Sequence, residues 1–199
     1  MKTIKVKLTF LENILGTAPN DEEIYANYIA SKSPDASTIS EEVAAVGVDE
    51  VTEKGTTVFP RDENGNPFIY DYQIKGFFKD ACGMLARVKT SESSKLKAYK
   101  KVIDGLVFAE PRKIEIETDD EITICQRPLR AQTTQGERVA LASSEQIKAG
   151  ASITFTIRTL QDSLVTTIKE WLDYGKLRGL GQWRNSGMGK FDFEVLEEN

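Results

Sequence analysis

The densest run of residues able to hold a ligand lies near the carboxyl end, in Leu177-Arg-Gly-Leu-Gly-Gln-Trp-Arg-Asn-Ser-Gly-Met-Gly-Lys-Phe. Four glycines in eleven residues (Gly179, Gly181, Gly187, Gly189) permit positive φ angles and a close approach of backbone to ligand. Arg178, Arg184 and Lys190 supply charge with no acid beside them in the chain, and Gln182, Trp183, Asn185 and Ser186 add hydrogen-bonding and aromatic groups. Successive amide N–H groups of such a loop can form an anion-binding concavity. The pattern is not a Walker phosphate loop, which needs Gly-Lys-Ser/Thr opening a helix. Nor is it a dinucleotide fingerprint, because a strand follows it. The chemistry in view is anion binding; the alternative is a long connection between a helix and an edge strand.

A second segment, Pro67-Phe-Ile-Tyr-Asp-Tyr-Gln-Ile-Lys-Gly-Phe-Phe-Lys-Asp-Ala, places Lys75 and Lys79 four residues apart on one helix face. Gly76 between them lets a polymer backbone come near; the alternative is a solvated basic edge of a core helix. Arg127 and Arg130, in Arg127-Pro-Leu-Arg-Ala-Gln-Thr-Thr-Gln-Gly, read as a strand-edge loop that either adds to the same basic face or is an ordinary polar loop. The chain has no histidine, which removes imidazole acid–base chemistry, histidine-activated nucleophiles and most zinc sites. Asp62-x-Asn64-x-Asn66 has calcium-loop spacing, but Pro67 stands where that loop needs glycine, so the segment reads as a turn. Asp119, Asp120 and Glu121 read as a solvated hairpin tip. No metal and no cofactor is implied. Cys82 and Cys125 have neither disulfide nor metal spacing and read as buried thiols in a reducing compartment.

The elements that must position these segments follow from periodicity. Ile4, Val6, Leu8 and Phe10 alternate with polar residues in a half-buried strand. Asn20 or Asp21 caps a short helix bearing Ile24, Tyr25, Tyr28 and Ile29, and Thr38 with Glu41 opens another that ends near Gly47. Residues 56–72 read as a hairpin about Asn64-Gly65. Apolar spacing places helices over 73–88, over 93–103, and from Leu164 to a stop at Gly175. Residues 114–125 read as a second hairpin, 151–159 as a strand, and Phe191, Phe193 and Val195 as the last strand. The order fits a single α+β domain over 1–199: a ferredoxin-like (RRM-like) β-α-β-β-α-β core with hairpin insertions and an acidic helical insertion at 11–55.

Charge is segregated. Residues 11–63 hold twelve acids and three bases, whereas 71–101 hold eight bases and three acids and 176–190 hold four bases and no acid. An acidic protein of net charge −5 can therefore still present a polyanion site on one face. No apolar run approaches the roughly 18 residues of a membrane span. The alternation over Met1–Lys7 is unlike a signal peptide, so the expected location is cytoplasmic.

Three of these stretches, in order, resemble the RAMP superfamily, the ferredoxin-like proteins of CRISPR RNA-processing and effector complexes. Tyr72-Gln-Ile-Lys-Gly-Phe-Phe-Lys-Asp-Ala is similar to the Ser-Leu-Lys-Gly-type helix of backbone subunits, and Ala149-Gly-Ala-Ser-Ile-Thr-Phe-Thr-Ile to the turn and strand that follow. Gly179-Leu-Gly-Gln-Trp-Arg-Asn-Ser-Gly-Met-Gly-Lys-Phe is similar to the C-terminal glycine-rich loop and last strand. Comparable proteins of phages and prophages share the pattern. The resemblance implies single-stranded RNA (or single-stranded DNA) held by Lys75, Lys79 and the loop from Gly181 to Lys190, with self-association or association with related subunits along the strand. Lysines and loop amides would grip phosphate, and Arg184 or Trp183 would stack on a base, unless Trp183 is a core plug.

The leading expectation is a non-catalytic RNA-binding protein. One alternative is a histidine-free or metal-dependent endoribonuclease. Some backbone subunits cleave with an aspartate after the first strand, a region where Asp21 lies, although Asn20-Asp-Glu-Glu is also an ordinary acidic helix start. The other alternative is a phage-encoded protein that imitates or blocks a CRISPR complex through its acidic insertion.

Overall fold

Alternating apolar side chains make Lys2–Phe10 a strand, β1, whose Ile4, Val6, Leu8 and Phe10 are at most 1% exposed. The computed structural model describes residues 1–20, 55–133 and 136–199, with the side chains of 129–133 and 136–141 outside the description. Its contacts divide the chain into two units: Met1–Ile14, Pro60–Glu121 and Ile147–Asn199 form the first, Leu15–Phe59 and Ile122–Gln146 the second. The expected helices at 21–29 and 38–47, and with them Asp21, lie outside the described residues.

In the first unit β1 is central. It pairs antiparallel with β10 (Ser152–Thr159) on one side and β11 (Phe191–Glu198) on the other. The far edge of β10 is shared by β6 (Val107–Glu110) and β7 (Lys113–Glu117), and β5 (Phe68–Tyr70) pairs with β7. Three helices accompany the sheet: α1 (Asp71–Leu85), α2 (Tyr99–Leu106) and α3 (Leu164–Arg178). With β6 and β7 counted as one position, the order β1-α1-β6/β7-β10-α3-β11 and the antiparallel arrangement last-first-third-second make this unit ferredoxin-like.

The helices bury the faces that their spacing dictates. Ile74, Phe77, Phe78, Ala81 and Cys82 face inward from α1, and Leu164, Thr167, Ile168, Trp171 and Leu172 from α3. Phe78 meets Trp171 with ring centres 5.3 Å apart, and Phe77 meets Phe191 at 5.1 Å, which joins both helices to the last strand.

Several expected boundaries move, each for a physical reason. Gly175 does not stop α3. It lies beneath the Phe191 ring, where a Cβ would come within 2.2 Å of ring carbons, and the helix runs on to Arg178 before Gly179 (φ 78°) ends it. The helix expected at 93–103 starts only at Tyr99. Ser93 is drawn into a polar contact with α3, where Glu170 accepts from the Ser93 N–H at 3.0 Å and its hydroxyl at 2.6 Å, leaving a short 3-10 turn at Ser93–Lys95.

Both expected hairpins dissolve. The Asp62–Gly65 turn exists, with Asp62 Oδ1 accepting from the N–H groups of Asn64 and Asn66, but its arms meet only in a bridge between Arg61 and Pro67. Residues 114–125 divide between β7 of the first sheet and β8 (Thr123–Thr133) of the other.

The second unit is built on a long antiparallel hairpin of β8 with β9 (Gly136–Ile147). The segment expected to be a loop carrying Arg127 and Arg130 is thus a strand. Among the described residues β8 pairs only with β9, and a strand edge without a ladder partner needs no donor from Pro128. Short strands β2 (Ile14–Leu15), β3 (Ala18–Pro19) and β4 (Thr57–Val58) complete the sheet in the order β2-β9-β4-β3. Thr57 shares a 2.7 Å hydroxyl contact with Ser144, and Phe59 N–H donates to Glu145 at 2.8 Å. No helix among the described residues is long and apolar enough to cross a membrane.

Candidate functional site

The glycine-rich loop and α1 belong to the same unit and touch through one carboxylate. Asp80 Oδ2 accepts from Arg178 Nε at 2.8 Å and from Arg184 Nη1 at 3.0 Å. This corrects the reading of those arginines as charges without an acid nearby: Asp80 lies 98 residues from Arg178, a separation at which sequence spacing carries no signal. Arg178 also donates through Nη1 to Asn185 Oδ1. A guanidinium has five N–H donors, so among the described residues Arg178 keeps three uncommitted and Arg184 four, and both side chains are partly exposed. Asp80 fixes the two forks without exhausting them.

The loop backbone is built from positive φ angles: Gly179 78°, Gly181 79°, Trp183 58°, Gly187 88° and Gly189 69°. Two of these glycines serve the neck of the loop and not a ligand. A Cβ on Gly179 would come within 2.5 Å of the Gly189 carbonyl carbon, and one on Gly189 within 1.9 Å of the Leu180 oxygen. Leu180 N–H donates to Gly189 at 2.8 Å across that neck, and Gly189 N–H to Asn13 at 2.8 Å. The amides of Ser186, Gly187 and Met188 are likewise spent on carbonyls of Trp183 and Arg184, within and beside the 3-10 turn Arg184–Ser186. An anion cradle made from these five amides is therefore excluded. Trp183 and Gln182 are half-buried. Lys190 makes no ion pair among the described residues, and its Nζ lies 3.6 Å from where a Gly187 Cβ would stand.

Gly189→Ala tests the neck. It forces a side chain into the left-handed region and against a backbone oxygen, so stability should fall by about 2–4 kcal/mol. Gly187→Ala meets only the flexible Lys190 side chain and should cost about 1–2 kcal/mol. Urea midpoints of the two variants against the parent check the ranking.

On α1 the lysines are anchored too. Lys79 Nζ is 2.6 Å from Asp104 Oδ1, while Lys75 donates to the Asp104 carbonyl at 3.3 Å and lies 4.5 Å from the centre of the Phe108 ring. The hydrogen bond from Lys79 holds the Asp104 carboxyl below the usual value of 3.8. A carboxyl depressed in the folded state contributes stability above its unfolded value and loses it as pH falls through the folded one. The Asp104 carboxyl should therefore titrate below 3.8 by NMR, and in Lys79→Met its midpoint should rise toward that value.

A Cβ on Gly76 would meet no atom of the described residues within 4 Å. At about 100° per residue, Gly76 falls between Lys79 and Asp80 around the helix. The open backbone position is flanked by the Lys79–Asp104 pair on one side and by the Asp80–arginine contact on the other.

The remaining candidates lie elsewhere in the chain. Arg127 is on β8 of the second unit and only 5% exposed, a buried strand residue and not a loop contact. Arg130 is on the same strand, in register with Val139. Cys82 is fully buried, as expected, whereas Cys125 is half-buried. Among the described residues no three metal-ligating side chains converge, and Asp120 of the acidic tip reaches Lys148 at 3.4 Å.

No protein-family model matches the sequence. No curated protein matches it either. In fold, the chain is similar to a chain of the Type III-B Cmr-beta, solved by cryo-electron microscopy bound to cognate target RNA. That likeness has a TM-score of 0.52 at 12% identity and covers all of this chain. The chain spans 60% of the length of that neighbour, and what the two have in common is the fold.

Proposed function

We propose that this chain is a non-catalytic RNA-binding protein of the RAMP backbone type, gripping the phosphates of a single strand between α1 and the glycine-rich loop. The observation that carries the reading is the open Gly76 position, flanked by Lys75 and Lys79 on one side and by the Asp80-anchored Arg178 and Arg184 on the other. Carboxylates hold Lys79, Arg178 and Arg184, and the Asp104 carbonyl holds Lys75, yet among the described residues all four keep donors to spare, which suits repeated, sequence-independent phosphate contact. The fold shared with a chain of a complex solved bound to cognate target RNA supports the same reading.

A 22.2 kDa protein covers only a few nucleotides, so useful affinity requires neighbouring copies or related subunits along the strand. The test is titration of a fluorescent single-stranded RNA across a salt series. Affinity should fall linearly on logarithmic axes, by about 0.7 decade per decade of salt for each phosphate contacted, with the RNA recovered intact. Salt-independent binding, or discrete cleavage products, would contradict the proposal.

A further inference from the structure

The strand β5 and the first turn of α1 carry an aromatic ladder that phosphate gripping does not use. Phe68 and Tyr70 meet edge-on with centres 5.0 Å apart, and Tyr70 and Tyr72 lie 5.2 Å apart with rings only 17° from parallel. The Arg112 guanidinium is 5.3 Å from the Tyr70 centre and 5.4 Å from that of Tyr72. A 2.6 Å ion pair with Asp71 holds it there. Along the ladder exposure rises: Phe68 is 3% exposed, Tyr70 half-buried, and Tyr72 42% exposed. Packing explains the inner rings. Tyr72, the outermost of the three, keeps 42% of its surface in solvent beside the Arg112 guanidinium.

We infer that Tyr72, backed by Tyr70 and Arg112, is a stacking platform for an unpaired base of the strand whose phosphates α1 grips; this rests on the reading above. Tyr72, Gly76 and Lys79 follow i, i+4, i+7 spacing and share a helix face. The helical rise places Tyr72 about 6 Å from Gly76 and about 10 Å from Lys79 along the axis. A nucleotide adjoining one held at Lys79 can therefore lay its base on the ring. Because Tyr70 and Arg112 already hold the ring, stacking immobilises little more of the protein, and a π face accepts any of the four bases.

The test compares Tyr72→Ala and Tyr72→Phe with the parent on two fluorescent RNA oligomers of equal length, one ordinary and one made of abasic nucleotides. Tyr72→Ala should bind the ordinary oligomer about tenfold more weakly, within the range for base–aromatic stacking, with an unchanged salt slope. Tyr72→Phe should bind as the parent does. On the abasic oligomer all three proteins should bind alike. Equal affinity of parent and Tyr72→Ala for the ordinary oligomer overturns the platform while leaving phosphate gripping intact, as does an equal loss on the abasic one. Failure of the parent to bind either oligomer at low salt overturns both.

Discussion

Replacing Trp171 with alanine should destabilise the first unit by about 3–5 kcal/mol, the cost of emptying a large buried aromatic site. Trp171 is fully buried, its ring tilted against Phe78, and its indole Nε1 donates to Ser93 Oγ at 2.9 Å. That hydroxyl in turn donates to Glu170, which also accepts from the Glu92 and Ser93 N–H groups. One side chain thus fills the space between α1 and α3 and anchors the connection that precedes α2. Trp171→Phe separates the two contributions. It keeps much of the apolar volume but leaves a buried serine acceptor without its donor, for an expected loss of about 1–3 kcal/mol. Urea denaturation reads both: with a slope of about 2 kcal/mol/M, the alanine variant should unfold about 2 M earlier. Cys82 reports on the same place. Burial pushes its thiol above the ordinary value of 9.0, so it should stay inert to thiol reagents in the native parent and become reactive in Trp171→Ala.

How much of this was legible in the chain depended on the range of the forces involved. β1, β10 and β11 were readable because alternation is local and each strand buries one face. α1 was readable because Ile74, Phe77, Phe78 and Ala81 repeat at helical spacing. Gly175 misled for the opposite reason: its role is set by Phe191, sixteen residues on, and a glycine made necessary by an overlying ring looks the same in sequence as a helix stop. The two hairpins failed because local turn chemistry at Asn64-Gly65 and at Thr118-Asp-Asp says only that the chain bends. It does not say which strand each arm will find; β5 finds β7, and β8 finds β9.

The candidate site divides along the same line. The loop, Lys75, Gly76 and Lys79 were visible as residue types in a pattern. Asp80 and Asp104, which hold the cations, were not, because an acid on a helix surface carries no mark of a partner about a hundred residues away or on another helix. Gly179 and Gly189 were read as room for a ligand and are instead the closed neck of the loop.

The anchoring carboxylates shape the binding experiment with the largest expected effect. Lys75→Gln, Lys79→Gln and Lys190→Gln together remove three ammonium groups while leaving the Asp80–arginine contact that docks the loop. If each lysine meets one phosphate of a single strand, the salt slope should fall by about 2, which at about 0.1 M salt corresponds to roughly a hundredfold weaker binding. Local charge alone could produce part of that loss, because Lys79→Gln bares the Asp104 carboxylate that Lys79 now neutralises. Lys79→Gln with Asp104→Asn settles the point, since the pair carries no net charge before or after the change. A contact role predicts that this double variant still loses about fivefold in affinity and about 0.7 in salt slope. Its binding like the parent would mean that only the field matters at α1, and would move the strand's path away from Lys79.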